Sequence, residues 1–223
     1  MTTATASLPN RNIRQRELVP DEKLQATDVT VIGVGAIGRQ VALQLAAIGA
    51  PRIQLIDFDA VEEENLAAQG FLESDLGRNK VDAVAEMCQH INSEIEIRFA
   101  NKRFSNLMFT SGAVFCCVDS IDTRKTIFGQ INNRADLWID GRMSAEFMRV
   151  LTVHDDKSAK FYETQLFPGE EAYQGSCTAK STIYCSNVAA GIMVSQFAKW
   201  LRGCQLDYNI NFNLLTNELL AQG

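Results

Sequence analysis

The residues best suited to chemistry begin with Gly33-Val34-Gly35-Ala36-Ile37-Gly38, a glycine spacing that lets the backbone approach a phosphate closely. The loop follows an apolar, β-branched run, Val29 to Ile32. It opens a stretch from Ala36 to Ile48 in which Ile37, Val41, Leu45 and Ile48 recur at helical spacing. A phosphate at that strand-to-helix turn meets free N–H groups and the favourable end of the helix dipole. A second apolar run, Ile53 to Ile56, ends in Asp57, roughly 20 residues past the loop, where a carboxylate can accept hydrogen bonds from both hydroxyls of a ribose. Loop and carboxylate together imply a nucleotide, and leave NAD, FAD, S-adenosylmethionine and ATP open. Asp119 closes a third apolar run, Ala113 to Val118, at the carboxyl end of a central strand, where open α/β sheets place their ligands. Cys177 directly precedes a helix predicted from Ala179, a position that lowers a thiol pKa and favours the nucleophilic thiolate.

The elements that must hold these groups read as an α/β fold: a Rossmann-like, mainly parallel sheet flanked by helices, with an antiparallel C-terminal extension. A small helix over 20–24 leads into the first strand. After Asp57, residues 59–79 read as an irregular acidic connection. Lys80 to Ile91 reads as a helix with Val81, Val84, Ala85 and Cys88 inward, and 95–99 as a strand. A helix over 121–132 follows the Asp119 strand, and Trp138 to Asp140 continues the alternation. Met148 to Val153 and Phe161 to Leu166 look like strands, 167–175 a loop, 179–201 a long helix ended by Gly203, and 208–215 a final strand. The right-handed crossover rule fixes the hand of the first βαβ unit.

Length and composition bound the class. The 223 residues suit one large domain spanning 1–223, with 1–10 as a mobile tail. A content of 46% hydrophobic and 22% charged residues is that of a globular protein. The net charge of -6 argues against a nucleic-acid footprint, which needs clustered Lys and Arg. No apolar stretch reaches the ~18 to 20 residues that span a bilayer, and the N-terminus lacks the pattern of a secretory signal. A cytoplasmic protein with no membrane partner is expected. Six cysteines with no Cys-x-x-Cys pair indicate neither a disulfide framework nor a zinc site. His90 and His154 have no ligand-like partners in sequence.

From Arg11 to about Arg124 the chain resembles the ThiF/MoeB/HesA family, relatives of the ubiquitin-activating enzymes. The matching residues are Arg11-Asn12-Ile13-Arg14-Gln15, Gly33 to Gly38, Ile56-Asp57-Phe58-Asp59, Asn65-Leu66, Gly77-Arg78-Asn79-Lys80-Val81, and Cys117-Val118-Asp119 with Arg124. The resemblance implies an adenylyltransferase that joins the C-terminal glycine carboxylate of a small ubiquitin-like or sulfur-carrier protein to the α-phosphate of ATP. It implies ATP and Mg²⁺, with Gly33, Gly35, Ala36, Ile37, Gly38, Asp57, Asp59, Asn65 and Lys80 around the nucleotide. Asp119 would hold the metal. Arg14 would reach into the active site of a second protomer, which makes the protein a homodimer. From composition alone, Arg11, Arg14 and Arg16 would be a solvated basic edge. In resembling proteins a cysteine placed like Cys177, on a crossover loop, can receive the activated carrier. Cys185, farther into the helix, is expected to pack.

One departure matters. Where the family commonly has Asn-Leu-x-Arg-Gln, this chain reads Asn65-Leu66-Ala67-Ala68-Gln69, so a phosphate-binding arginine is absent at Ala68. One cation fewer at the triphosphate weakens transition-state stabilisation by ~2 to 4 kcal/mol unless it is replaced, with Arg78 and Arg103 as candidates. The family's paired Cys-x-x-Cys zinc brace is also missing. Two rivals stand beside adenylation. An NAD(P)-dependent oxidoreductase explains the glycine loop and Asp57, but not Arg14, Lys80 and Asp119. A catalytically weak nucleotide-binding module that recruits a partner is motivated by Ala68.

Overall fold

The computed structural model describes residues 11–108, 111–131, 134–167 and 181–223. The expected tail, most of the expected 167–175 loop, and Cys177 lie outside these residues.

Four buried, mostly β-branched residues make β1 (Val29–Ile32), which has a helix on each side of it in sequence, α1 (Asp21–Gln25) and α2 (Ala36–Ile48). One stripe of α2 carries Ile37, Val41 and Leu45, each 7% exposed or less, and burying each stabilises the fold by roughly 1.5–3 kcal/mol. β2 (Arg52–Asp57), α4 (Lys80–Ile91), β3 (Glu96–Asn101), β4 (Ala113–Cys116) and α5 (Ile121–Ile131) continue the alternation. In α4 the expected inward residues Val81, Val84, Ala85 and Cys88 are all buried. β5 (Leu137–Ser144), β6 (Phe147–Val153), β7 (Asn209–Asn213) and β8 (Glu218–Gln222) complete an eight-stranded sheet of order β3-β2-β1-β4-β5-β6-β7-β8.

Strands β3 through β5 pair in parallel, and β5 through β8 in antiparallel fashion. The Rossmann-like sheet with its antiparallel extension is therefore as expected. Strand order reverses direction between β1 and β4, which opens the crevice at their carboxyl ends. α2, α4 and α7 (Ile183–Arg202) pack on one face of the sheet. On the other face Phe128 of α5, Trp138 of β5 and Tyr162 form an aromatic cluster with ring centroids 4.5–5.9 Å apart. Among the described residues no helix is long and apolar enough to cross a membrane.

Several local expectations fail. Residues 161–166, read as a strand, belong largely to a helix, α6 (Asp156–Thr164). Its start is fixed by a capping box in which Asp155 accepts from the Ser158 N–H at 2.7 Å and Ser158 Oγ accepts from the Asp155 N–H at 3.1 Å. The connection 59–79 is not wholly irregular: it contains α3 (Glu63–Gln69) and a 3₁₀ turn, Glu73–Asp75. The long helix begins at Ile183 rather than at 179, with the Thr182 hydroxyl accepting from the Cys185 N–H. The expected effect of that helix start on Cys177 falls on a residue outside those described. β8 is additional, entered through Asn217 at φ 55° and exposed along its whole length.

Candidate functional site

The glycine loop is shaped by close approach. Gly33 has φ +83°, and a Cβ there would lie 2.9 Å from the Cys117 carbonyl group. A Cβ on Gly38 would overlap the Gly33 carbonyl. These two glycines let the turn fold tightly between the ends of β1 and β4. Gly35 is the N-cap of α2 and offers no side-chain cap; the first intrahelical bond runs from the Arg39 N–H to the Gly35 oxygen at 2.9 Å. Ahead of it, the N–H groups of Ala36, Ile37 and Gly38 lie in the first turn of the helix, where no intrahelical acceptor is available, as an anion site requires.

Asp57 ends β2 beside this loop and is buried. Its two oxygens accept from the Val34 N–H at 2.7 Å and from the Asp59 N–H at 2.9 Å. The carboxylate is thereby fixed in place. A carboxylate has about four acceptor directions, so the remaining ones stay available to a ribose. Phe58, exposed between the two aspartates, carries the Arg103 guanidinium stacked 4.0 Å from its ring centroid.

A short pairing of Ala60 with Asn79 brings the start of α4 back to the end of β2. Lys80 is buried there, its Nζ 3.2 Å from the half-exposed Asp59 carboxylate. Asn65 is also buried. Its side-chain oxygen accepts from the Glu62 N–H at 3.0 Å and caps α3, which leaves its amide N–H donors for other use.

Asp119 lies across the crevice, exposed, and has no hydrogen-bond or ion-pair partner among the described residues. The start of α5 is served instead by Ser120, whose hydroxyl accepts from the Thr123 N–H at 3.3 Å. Beneath it the backbone is held by Arg124, which donates to the Val118 carbonyl and pairs with Asp140. Asp140 is completely buried and also meets Arg142 Nε at 2.9 Å and the Tyr162 hydroxyl at 3.0 Å. Burial pushes the pKa of Arg124 down, yet an arginine so placed keeps its proton. Asp140 and Tyr162 were not among the expected site residues; only the strand-terminal Trp138-Ile139-Asp140 run hinted at the first.

Arg14 is exposed. Its segment is anchored by Gln15 Nε2 on the Ile48 carbonyl at 2.8 Å and by Arg11 on the Ile91 carbonyl at 3.0 Å. Both anchors lie at the C-terminal ends of α2 and α4. A helix the length of α2 spans roughly 20 Å, so Arg14 sits at the far end from the glycine loop of its own chain.

The two arginines considered as replacements at Ala68 are placed differently from that role. Arg78 is held by Asp75 at 3.0 Å and Glu86 at 2.6 Å. Arg103 lies on Phe58, beside Asp57 rather than beside the helix start. The described cysteines near the core are poor nucleophiles. Burial pushes Cys88 up to about 12 and Cys185 up to about 11, and it also raises Cys116 and Cys117. Cys185 is packed, as expected.

Fold and site together define an α/β domain of the doubly wound type, with its candidate site at the carboxyl ends of the parallel strands. A family model for the ThiF family matches residues 10–222, and the chain belongs to that family. Among curated proteins it is 23% identical to ubiquitin-like modifier-activating enzyme 5 of Gallus gallus, over 91% of this chain and 58% of that protein. It is 28% identical to the enzyme of the same name from Culex quinquefasciatus, over 55% of this chain and 35% of that one. A third relative, adenylyltransferase and sulfurtransferase MOCS3-1 of Zea mays, is 38% identical over 36% of this chain and 19% of its own length. The chain thus spans less than two thirds of these relatives. Among solved structures, PaaA superimposes with a TM-score of 0.76 at 20% identity, covering all of this chain and 77% of that one. E. coli MccB with ATP superimposes with a TM-score of 0.75 at 19% identity, over 96% and 71%. These two likenesses show the fold.

Proposed function

We propose that this protein is an ATP-dependent adenylyltransferase acting on the C-terminal carboxylate of a small ubiquitin-like or sulfur-carrier protein. The observation that carries the reading is the uncapped start of α2 with Asp57, Lys80 and Asp119 on the same edge of the sheet. Membership of the ThiF family, with ATP named in the MccB structure, favours ATP over a nicotinamide cofactor.

In this reaction a carboxylate oxygen of the carrier attacks the α-phosphorus. The bond to the β-phosphate oxygen breaks, and pyrophosphate leaves with the electron pair. No general base is needed, because the nucleophile is already ionised. The chain's work is positioning and charge neutralisation. Asp57 accepts from the ribose, the α2 N–H groups hold phosphate oxygens, and Asn65 donates its free amide hydrogens. Lys80 exchanges Asp59 for phosphate. The lone carboxylate of Asp119 suits Mg²⁺, which is commonly bound through one or two carboxylates plus substrate phosphates rather than by an all-protein cage. When bound, Mg²⁺ neutralises charge on the phosphate oxygens.

The position of Arg14, remote from its own glycine loop, favours a homodimer in which each chain completes the other's site. Cys177 is proposed as the acceptor of the activated carrier, on the family resemblance alone. Incubation with Mg²⁺-ATP, labelled pyrophosphate and candidate carriers tests the main reading: carrier-dependent exchange into ATP is expected. Nucleotide binding without exchange by any carrier favours the recruitment module suggested by Ala68, and nicotinamide-dependent hydride transfer defeats both. Replacing Cys177 by Ala is expected to leave exchange intact while removing any reducible carrier conjugate.

A further inference from the structure

We propose that Arg39 supplies the cation missing at Ala68 and binds the β- and γ-phosphates of ATP from the α2 side, an assignment that rests on the adenylation reading. Arg39 lies in the first turn of α2, just past the glycine loop, and is only 7% exposed. Its guanidinium has no hydrogen bond and no ion pair among the described residues. Among the described residues it lies over the face of Phe71, 5.3 Å from the ring centroid. An arginine this deeply buried with no acceptor or carboxylate against its guanidinium is costly to keep, and an arriving anion would offset that cost.

The surroundings indicate what that partner is. Nη1 lies 3.3 Å from the point where a Cβ on Gly70 would sit, and Ile183 closes the same spot at 3.0 Å. Gly70 follows Gln69 and Ala68, so the guanidinium ends within two residues of the position where the resembling family carries its phosphate-binding arginine. Gln69 is a second incomplete group. Its Oε1 is buried without a donor and lies 3.5 Å from where a Cβ on Gly35 would project. Gln69 Oε1, itself an acceptor, gains nothing from a phosphate, whereas an unpartnered cation one helix turn from free N–H groups makes a cluster of donors that a polyphosphate would close.

The other cations nearby do not fit that place. Lys80 and Arg78 are already paired with carboxylates, and Arg103 lies on Phe58. Burial lowers the pKa of Arg39, and Asp75, which opposes this from a distance, is itself held by Arg78. Nothing in the described structure neutralises Arg39, and a triphosphate would.

The test is titration calorimetry with Mg²⁺, comparing a non-hydrolysable ATP analogue with AMP. Arg39→Met is expected to weaken the analogue by ~10- to 100-fold, the loss of one or two charge-assisted hydrogen bonds, while AMP affinity is unchanged. Adding Ala68→Arg to that variant restores the analogue's affinity from the other side of the pocket. Should Arg39→Met not fold, Arg39→Lys carries the same test: it keeps the charge and loses the fork, so the analogue weakens and AMP does not. Equal weakening of both ligands, or of neither, overturns the assignment while leaving adenylation standing. A wild-type protein that binds AMP but gains nothing from the added phosphates overturns it too. A wild-type protein that binds neither ligand defeats both readings.

Discussion

Removing either side of the Asp140–Arg124 pair should produce unequal damage, and the structure says which side is worse. Asp140 has three partners: Arg124, Arg142 at 2.9 Å and the Tyr162 hydroxyl at 3.0 Å. After Arg124→Met the carboxylate retains two of them, and methionine fills most of the vacated volume. The expected cost is ~1.5–3 kcal/mol, the price of one hydrogen bond to a charged group. After Asp140→Asn two guanidinium groups remain around a neutral amide, one of them only 4% exposed and unable to reach water. Leaving a buried charge unpaired costs ~3–5 kcal/mol. Urea unfolding read by tryptophan fluorescence gives both numbers, since Trp138 packs against Tyr162 in the same cluster. Equal costs, or a larger cost for Arg124→Met, would refute the claim that the carboxylate is the hub. The two variants also differ in function. Arg124 holds the Val118 carbonyl, so its loss releases the turn carrying Asp119 and should weaken metal-dependent nucleotide binding beyond its effect on stability.

Lys80→Met should lower affinity for the ATP analogue by ~10-fold or more, the loss of a charge-assisted contact. Its unfolding midpoint should move little, because the Asp59 it leaves behind is half exposed and finds water; a large loss of stability with unchanged affinity would make Lys80 structural. Arg14→Ala mixed with Lys80→Met should regain exchange activity that neither variant has alone, through hybrid dimers holding one intact site. No recovery on mixing after partial unfolding and reassembly would speak against an arginine supplied in trans. Stability should fall as pH rises above the usual thiol range towards 11–12. There the unfolded chain releases the protons of Cys88 and Cys185 while the folded chain still binds them, so the unfolded state carries fewer protons. A shallower fall over that window in the double Ala variant than in the parent checks the sign, since Cys116 and Cys117, also raised by burial, still contribute.

The parallel half of the sheet was legible because its signals are local. Four consecutive β-branched residues followed by glycine make β1, and a helical stripe on Ile37, Val41 and Leu45 makes α2. The extension was less so. Residues 161–166 open on two aromatic side chains that favour a strand, but the Asp155–Ser158 capping box just upstream commits the backbone to a helix, and Tyr162 buries itself from that helix. β8 has no buried face, so no periodicity announces it. Of the candidate site, Asp57, Lys80 and Asp119 fell at strand or helix ends that the pattern already marked. Arg39 left no such sign, because a charged residue in the first turn of a helix ordinarily faces water. Only the packing of Phe71 and Gly70 against it reveals that this one does not.

The groups around the crevice divide into those already satisfied and those waiting. Asp57 is held by two backbone N–H groups and Asn65 by a helix cap, so the positions they give a nucleotide cost nothing further to organise. Lys80 is intermediate, since binding must break its contact with Asp59. The exchange of one carboxylate for a phosphate makes Lys80 sensitive to the charge of what arrives: AMP offers less than ATP. Arg39, Asp119 and the α2 N–H groups have no hydrogen-bond or ion-pair partner among the described residues to give up. Their unmet interactions grow with each added phosphate, so most of the discrimination between ATP and AMP must come from them. It follows that Asp59→Asn, which frees Lys80 at rest, should strengthen AMP and ATP-analogue binding alike. The preference for ATP should shrink most when Arg39 or Asp119 is removed.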